Sequence, residues 1–113
     1  MPRPNKLSTN TPYAVDSAIK DLGKRLKTAR LRRNMSISDL AARMGVDRHL
    51  ISDAEGGKVM TGIAVYVGML WVMNLLPQID RVGSPELDAE GLALSALNDP
   101  KRARARQMID NDF

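Results

Sequence analysis

The chain reads SISDLAARMGVDRHLISDAEGG from Ser36 to Gly57. Ser36 is a hydroxyl N-cap and Asp39 follows it by three residues, a variant of the capping box that starts a helix. Gly45 stands where that helix must end, because glycine enters a left-handed turn without steric penalty. Asp47 is then placed to cap a second helix. The stretch therefore predicts two short helices joined by a tight turn.

The apolar pattern on both sides of the turn supports this interpretation. The residues that we expect to be buried are Leu40, Ala41 and Met44 in the first helix, Val46 in the turn, and Leu50, Ile51 and Ala54 in the second helix. Two helices of this kind form a helix-turn-helix, which places its second helix in the major groove of DNA.

Size and composition limit the class of protein. The 113 residues, 43% of them hydrophobic and 27% charged, favour one globular domain small enough to gain from oligomerisation. The chain has no cysteine, which excludes disulfides and thiolate metal sites and suits a reducing compartment. The N-terminal MPRPNKLSTN has no apolar core, so it is not a signal peptide and we expect a cytoplasmic protein.

The net charge of +4 is unevenly distributed. Residues 1–34 carry nine lysines and arginines against two aspartates, whereas residues 39–57 carry two arginines against four acidic residues. A basic chain fits a polyanionic partner. Many mildly basic proteins bind no nucleic acid, so charge alone leaves both interpretations open.

Four segments are predicted along the chain. Residues 1–12 form a flexible arm, residues 13–83 the DNA-binding domain, residues 84–100 a helical extension for dimer or partner contact, and residues 101–113 a basic, disordered tail. The domain begins with an amphipathic helix from Tyr13 to Asn34. The basic last turn of that helix suits either the negative helix end or a phosphate group.

The region from Val59 to Ile79 contains no charged residue. Polar residues, glycine and proline cut its apolar helix to about a dozen residues, too short to span a membrane. One face, with Ile63, Tyr66, Leu70 and Met73, is expected to meet the core. The opposite face is predicted to be a dimer or partner interface and consists of Ala64, Val67, Gly68, Trp71, Val72 and Leu75. The alternative is that the downstream segment of the same chain covers this face.

The motifs LGKRLKTARLRR, SISDLAARMGVDRHLISDAEGG and MLWVMNLL, within residues 20–76, resemble the Xre-type, lambda-repressor-like helix-turn-helix family. The resemblance implies an all-α, compact five-helix DNA-binding domain that forms a homodimer on a two-fold site in double-stranded operator DNA. Where the family commonly has glutamine, this chain has Ile37, which cannot make the same polar contacts.

The segment MLWVMNLLPQIDRV, followed by DAEGLAL and KRARAR, is similar to a narrower group, the HipB-type antitoxins. That similarity implies an autorepressor of a type II toxin-antitoxin operon that holds a HipA-type Ser/Thr kinase toxin inactive. A free-standing Xre-family repressor that binds a palindromic operator as a dimer is the alternative.

DNA contacts are predicted at the starts of both motif helices. Base-edge candidates are Asp47, Arg48, His49, Ser52 and Asp53, and phosphate candidates are Arg33, Ser36, Ser38 and Lys58. Arg48 can donate two parallel hydrogen bonds to guanine. His49, the single histidine, is either a DNA contact or a surface residue, and without a second histidine or a cysteine no metal site is expected. The acidic residues of the motif are expected to weaken binding.

No catalytic arrangement is present in the sequence. It contains no Cys–His pair, and the glycine pair at 56 and 57 ends a helix where a phosphate-binding loop would begin one. We therefore predict a binding protein without enzymatic activity, and no cofactor.

Overall fold

The computed structural model describes residues 6–98, which are helical and include no strand. The α-helices are α1 (Lys6–Thr9), α2 (Tyr13–Arg32), α3 (Ile37–Met44), α4 (Arg48–Glu55), α5 (Ile63–Val72) and α6 (Ala89–Asn98). Short 3₁₀ helices cover Leu76–Arg81 and Pro85–Leu87. The all-α class and the helix-turn-helix are confirmed, and no helix among the described residues is long and apolar enough to cross a membrane.

The chain divides into two compact units, Met1–Pro77 and Gln78–Phe113. The first unit ends at Pro77, and the extent of the DNA-binding domain, residues 13–83, stays a prediction. Helix α1 adds a single helical turn within the predicted arm. Residues 1–5 of that arm and residues 99–113, including the predicted tail at 101–113, lie outside the described residues.

Helices α2 to α5 enclose the core of the first unit. Helix α3 packs against α4 and α5, and α4 also packs against α2 and α5. The buried hydrophobic side chains are Leu26, Met35, Leu40, Ala41, Ile51, Ala54, Val65, Tyr66, Met69, Leu70 and Met73. Because α4 packs against α2, α3 and α5, these three helices fix the orientation of its exposed face.

Each of these four helices is followed by a residue with left-handed backbone conformation. The φ angles are 52° at Asn34, 69° at Gly45, 74° at Gly57 and 60° at Asn74. Glycine and asparagine are the residues that adopt this conformation most readily, so the sequence itself sets where the helices stop. After α3, the amide of Val46 donates to the carbonyl of Ala41 at 3.0 Å, which closes the turn before α4.

Helices α2 and α4 approach each other very closely. A Cβ atom added to Gly23 would lie 2.4 Å from the carbonyl oxygen of Ala54 and 2.7 Å from that of Glu55. One added to Gly57 would lie 2.5 Å from the Cγ atom of Lys20. These glycines let the backbone of α4 lie directly against α2.

Two burial predictions are wrong, and two others, Met44 and Val46, are met only in part, since both side chains are intermediate in exposure. Ile63, expected in the core, is 71% exposed, and Val65 and Met69 are buried instead. The core face of α5 follows Val65, Met69 and Met73 at i, i+4 and i+8, which turns Ile63 away from the bundle. Leu50 is 39% exposed, because the two-turn α4 buries only Ile51 and Ala54.

The described part of the second unit, residues 78–98, contains α6. The side chain of Asp88 accepts a hydrogen bond from the amide of Gly91 at 2.9 Å and so starts this helix. Helix α6 has no buried residue. The exposed apolar side chains of this unit include Leu87, Leu92, Leu94 and Leu97.

Candidate nucleic-acid interface

The N-terminus of α3 is held by a complete capping box. The Ser36 hydroxyl accepts a hydrogen bond from the amide of Asp39 at 3.0 Å, and the amide of Ser36 donates to Asp39 Oδ2 at 3.1 Å. The bond from the Ser36 backbone, followed by that from its side chain, lowers the pKa of Asp39. Within residues 6–98 the amides of Ile37 and Ser38 have no protein acceptor, so they are available to an anion such as a phosphate.

The N-terminus of α4 is capped by Asp47. Its Oδ1 atom accepts a hydrogen bond from the amide of His49 at 2.8 Å. The carboxylate of Asp47, which we predicted to read a base, is therefore already engaged in starting α4. The exposed side chains of Arg48 and His49 follow it on the first turn of the helix.

The starts of α3 and α4 form one groove. It is lined by Arg30, Ser36, Ile37, Ser38, Arg48, His49 and Ser52. Five of the nine predicted DNA contacts thus lie together: Ser36, Ser38, Arg48, His49 and Ser52. The groove combines free helix-terminal amides, hydroxyl groups, a guanidinium group and an imidazole, which are donors suited to phosphates and base edges.

The other four candidates do not line this groove. Arg33 is exposed and donates to the carbonyl of Ala29 at 2.9 Å. Asp53 and Lys58 form an ion pair at 3.1 Å, which reduces both the repulsion expected from Asp53 and the free charge expected of Lys58. Asp47 serves as the cap of α4.

Arg30 departs most from the sequence interpretation. It belongs to the basic last turn of α2, whose charges the sequence predicts to be available to the helix end or to a phosphate, but it is only 5% exposed. Its Nε and Nη2 atoms donate to the two carboxylate oxygens of Glu55 at 2.7 and 2.8 Å, and Nη1 donates to the carbonyl of Met35 at 2.8 Å. The hydrogen bond to Glu55 raises the pKa of Arg30.

This pair also corrects the expected role of Glu55, which we counted among the residues that repel DNA. Its charge is compensated inside the protein by a bidentate partner. A sequence signal for the pair exists, since Arg30 lies four residues after the buried Leu26, on the inner face of α2. Nothing in the sequence indicated that Glu55, 25 residues away, would be its partner.

The predicted interface on α5 is only partly exposed. Trp71 is 60% exposed and Ala64 is also exposed, while Val67, Val72 and Leu75 are intermediate. Gly68 is also intermediate in exposure, and a Cβ atom added to it would lie 2.8 Å from the Cε atom of Met44 on α3. The exposed Ile63 side chain extends this face by one helical turn.

Residues 21–72 match the family model described as a helix-turn-helix domain. The match covers less than half of the chain and includes the groove, helices α3 to α5 and the part of α2 from residue 21 onward. No curated protein and no solved structure is detectably similar to the chain. The match is consistent with the Xre-like resemblance and stops before the tail on which the HipB-type similarity depends. Helix-turn-helix domains are typical of DNA-binding regulators and are typically not enzymes.

Proposed function

We propose that this chain is a transcriptional repressor that binds operator DNA as a homodimer and inserts α4 into the major groove. The observation that carries the proposal is the groove in which the N-termini of α3 and α4 converge. Its polar side chains lie on elements that the capping box and Asp47 fix in place. Preorganised donors of this kind reduce the entropy that binding costs.

Base reading is assigned to Arg48 and His49. Both are exposed on the first turn of α4, the part of a recognition helix that meets base edges. Arg48 has the geometry to donate two hydrogen bonds to a guanine. The amides of Ile37 and Ser38 then bind a phosphate and set the register of α4 in the groove.

Homodimer formation is proposed through the exposed face of α5. One copy offers few DNA contacts, so two linked copies gain affinity from two half-sites. The face contains Trp71, an aromatic residue of the kind enriched at interface hot spots, together with Ile63. It has no charge, so the same face of a second copy meets it without repulsion.

We further propose that the protein is the antitoxin of a type II toxin-antitoxin operon and that its partner is a HipA-type Ser/Thr kinase toxin. The similarity of the tail to HipB-type antitoxins supports this, as do the exposed leucines of the second unit. A short helix without buried residues gains stability when a partner covers its apolar side. A free-standing repressor remains the alternative.

The DNA-binding proposal is tested with duplexes that the full chain enriches from a random-sequence pool. Arg48→Ala is expected to relax the sequence preference at one base pair per half-site, at a cost of about 1–3 kcal/mol. Arg25→Ala, an exposed arginine of α2 outside the groove, is the matched control. Failure of the wild-type chain to enrich any sequence would overturn the proposal.

The antitoxin proposal is tested by co-expressing the chain with the product of the adjacent gene. Co-purification of a kinase-like protein and relief of its toxicity would support it. A chain that binds its operator normally, with no such neighbour, would be a free-standing repressor.

A further inference from the structure

A second groove continues the first one toward α2. It is lined by Lys27, Arg30, Ile37, Ser52, Glu55 and Gly56. Three of these residues, Arg30, Ile37 and Ser52, also line the first groove. The two grooves therefore form a continuous surface that runs from His49 on α4 to Lys27 on α2.

The charge at the α2 end of this surface is positive. Glu55 is compensated by Arg30, which leaves Lys27 as the uncompensated charge there. Among residues 6–98, the cations that form ion pairs are Lys20, Arg30 and Lys58, so Lys27 has no acidic partner in this part of the chain. Its side chain is exposed and free to meet an anion.

We infer that Lys27 is a phosphate-binding residue that extends the DNA contact from α4 onto α2. The inference rests on the proposed function and assigns to one residue, Lys27, the phosphate contact that the sequence leaves open for the whole basic last turn of α2. The DNA backbone that flanks the inserted α4 passes over Ile37 and Ser52 and meets the ammonium group of Lys27. Such a contact adds affinity without reading sequence and releases a condensed counterion.

A purely structural role for Lys27 predicts different behaviour. Lys27 lines the groove beside Glu55 and Gly56 at the C-terminal end of α4, where a cation stabilises the helix dipole. Loss of that role would lower the stability of the domain. It would not change how strongly DNA affinity depends on salt.

The test compares Lys27→Gln with Lys24→Gln in the full chain. Both variants remove one exposed lysine from α2, but Lys24 lines neither groove. The probe is the duplex enriched by the wild-type chain, and Kd is measured over a series of KCl concentrations. For Lys27→Gln we expect weaker binding, an unchanged sequence preference and a log–log salt slope that is smaller by about 0.9 per protomer.

Lys24→Gln is expected to leave the salt slope at the wild-type value, and Lys27→Arg to retain it. Equal slopes for Lys27→Gln and Lys24→Gln would overturn the inference while leaving the proposed function intact. Absence of duplex binding by the wild-type chain would overturn both. Melting curves of each variant separate a loss of fold from a loss of contact.

Discussion

At the scale of single residues, the ion pair between Arg30 and Glu55 holds together the segments that form the groove. The guanidinium group joins the end of α2 to the end of α4 and also holds the Met35 carbonyl in the turn before α3. Three segments that carry groove residues thus meet at one side chain. Removal of one partner of a buried ion pair leaves the other charge buried and uncompensated. The resulting loss in the free energy of unfolding exceeds the net stability that the intact pair provides.

Arg30→Ala is therefore expected to lower the free energy of unfolding by about 3 kcal/mol, since Glu55 would be buried without a counter-charge. Urea unfolding followed by circular dichroism measures the change. Lys58→Ala, which breaks the exposed pair with Asp53, is the control and is expected to cost less than about 1 kcal/mol. Equal changes in the free energy of unfolding for the two substitutions would show that the contribution of Arg30 to stability does not depend on its burial.

Asp39 makes the start of α3 sensitive to acid. Because hydrogen bonds from Ser36 lower the pKa of Asp39 below its usual 3.8, its charged form stabilises the folded state. That contribution is fully present above the unfolded pKa and is lost as the pH falls through the lower, folded value. Asp39→Ala is expected to have a lower Tm than the wild-type chain at neutral pH, with a difference that shrinks below about pH 4. A difference in Tm that stays constant down to about pH 2 would contradict this assignment.

At the scale of elements, the sequence predicts helix ends better than helix faces. The caps at Ser36 and Asp47 and the left-handed Gly45 act locally, so α3 and α4 begin and end where the sequence indicates. Which face of α5 is buried depends on the helices that pack against it. Because α5 is apolar on all sides, its sequence has no polar face that would indicate the exposed side. For this reason the sequence pattern places Ile63 in the core, whereas its side chain is exposed.

Gly23 provides a test of the close packing between α2 and α4. Alanine normally stabilises a helix interior relative to glycine by about 1 kcal/mol. Here the added Cβ would meet backbone carbonyls of α4 at 2.4 and 2.7 Å, so Gly23→Ala is expected to destabilise the domain and to displace α4. Gly62→Ala, where the added Cβ meets nothing within 4 Å, is the control. Thermal melts and DNA affinity are the measurements, and a stabilised Gly23→Ala variant would contradict the observed helix contact.

At the scale of the whole molecule, the sequence predicts a DNA-binding site but only part of its extent. Spacing along α3 and α4 was sufficient to place Ser36, Ser38 and Arg48 on one surface. The sequence leaves open whether the basic last turn of α2 meets a phosphate, because Lys27 and Arg30 reach the grooves only through packing between helices distant in sequence. Trp71 and the leucines of α6 are exposed, and the sequence assigns both segments to dimer or partner contacts. Which molecule covers them depends on an assembly, so these assignments stay predictions.

Trp71→Ala is expected to weaken the proposed homodimer at least tenfold, because a buried tryptophan at the centre of an interface contributes about 2 kcal/mol or more. Sedimentation velocity over a range of concentrations measures the effect, and operator affinity should fall with it. Tyr13→Ala, which removes an aromatic side chain that is 84% exposed on α2, is the matched control. An unchanged dimer dissociation constant in Trp71→Ala would show that the dimer interface does not include the exposed face of α5.

On α4, the side chains that pack in the core and those that face the groove are different residues. Ile51 and Ala54 are fully buried, whereas Arg48, His49 and Ser52 are exposed in the groove. Substitutions at such exposed positions usually change stability by less than about 0.5 kcal/mol. After a gene duplication, two copies of the chain could therefore acquire different DNA sequence preferences through a few surface substitutions in α4. The core residues would stay the same, and each copy would bind its own DNA sites in the same cell.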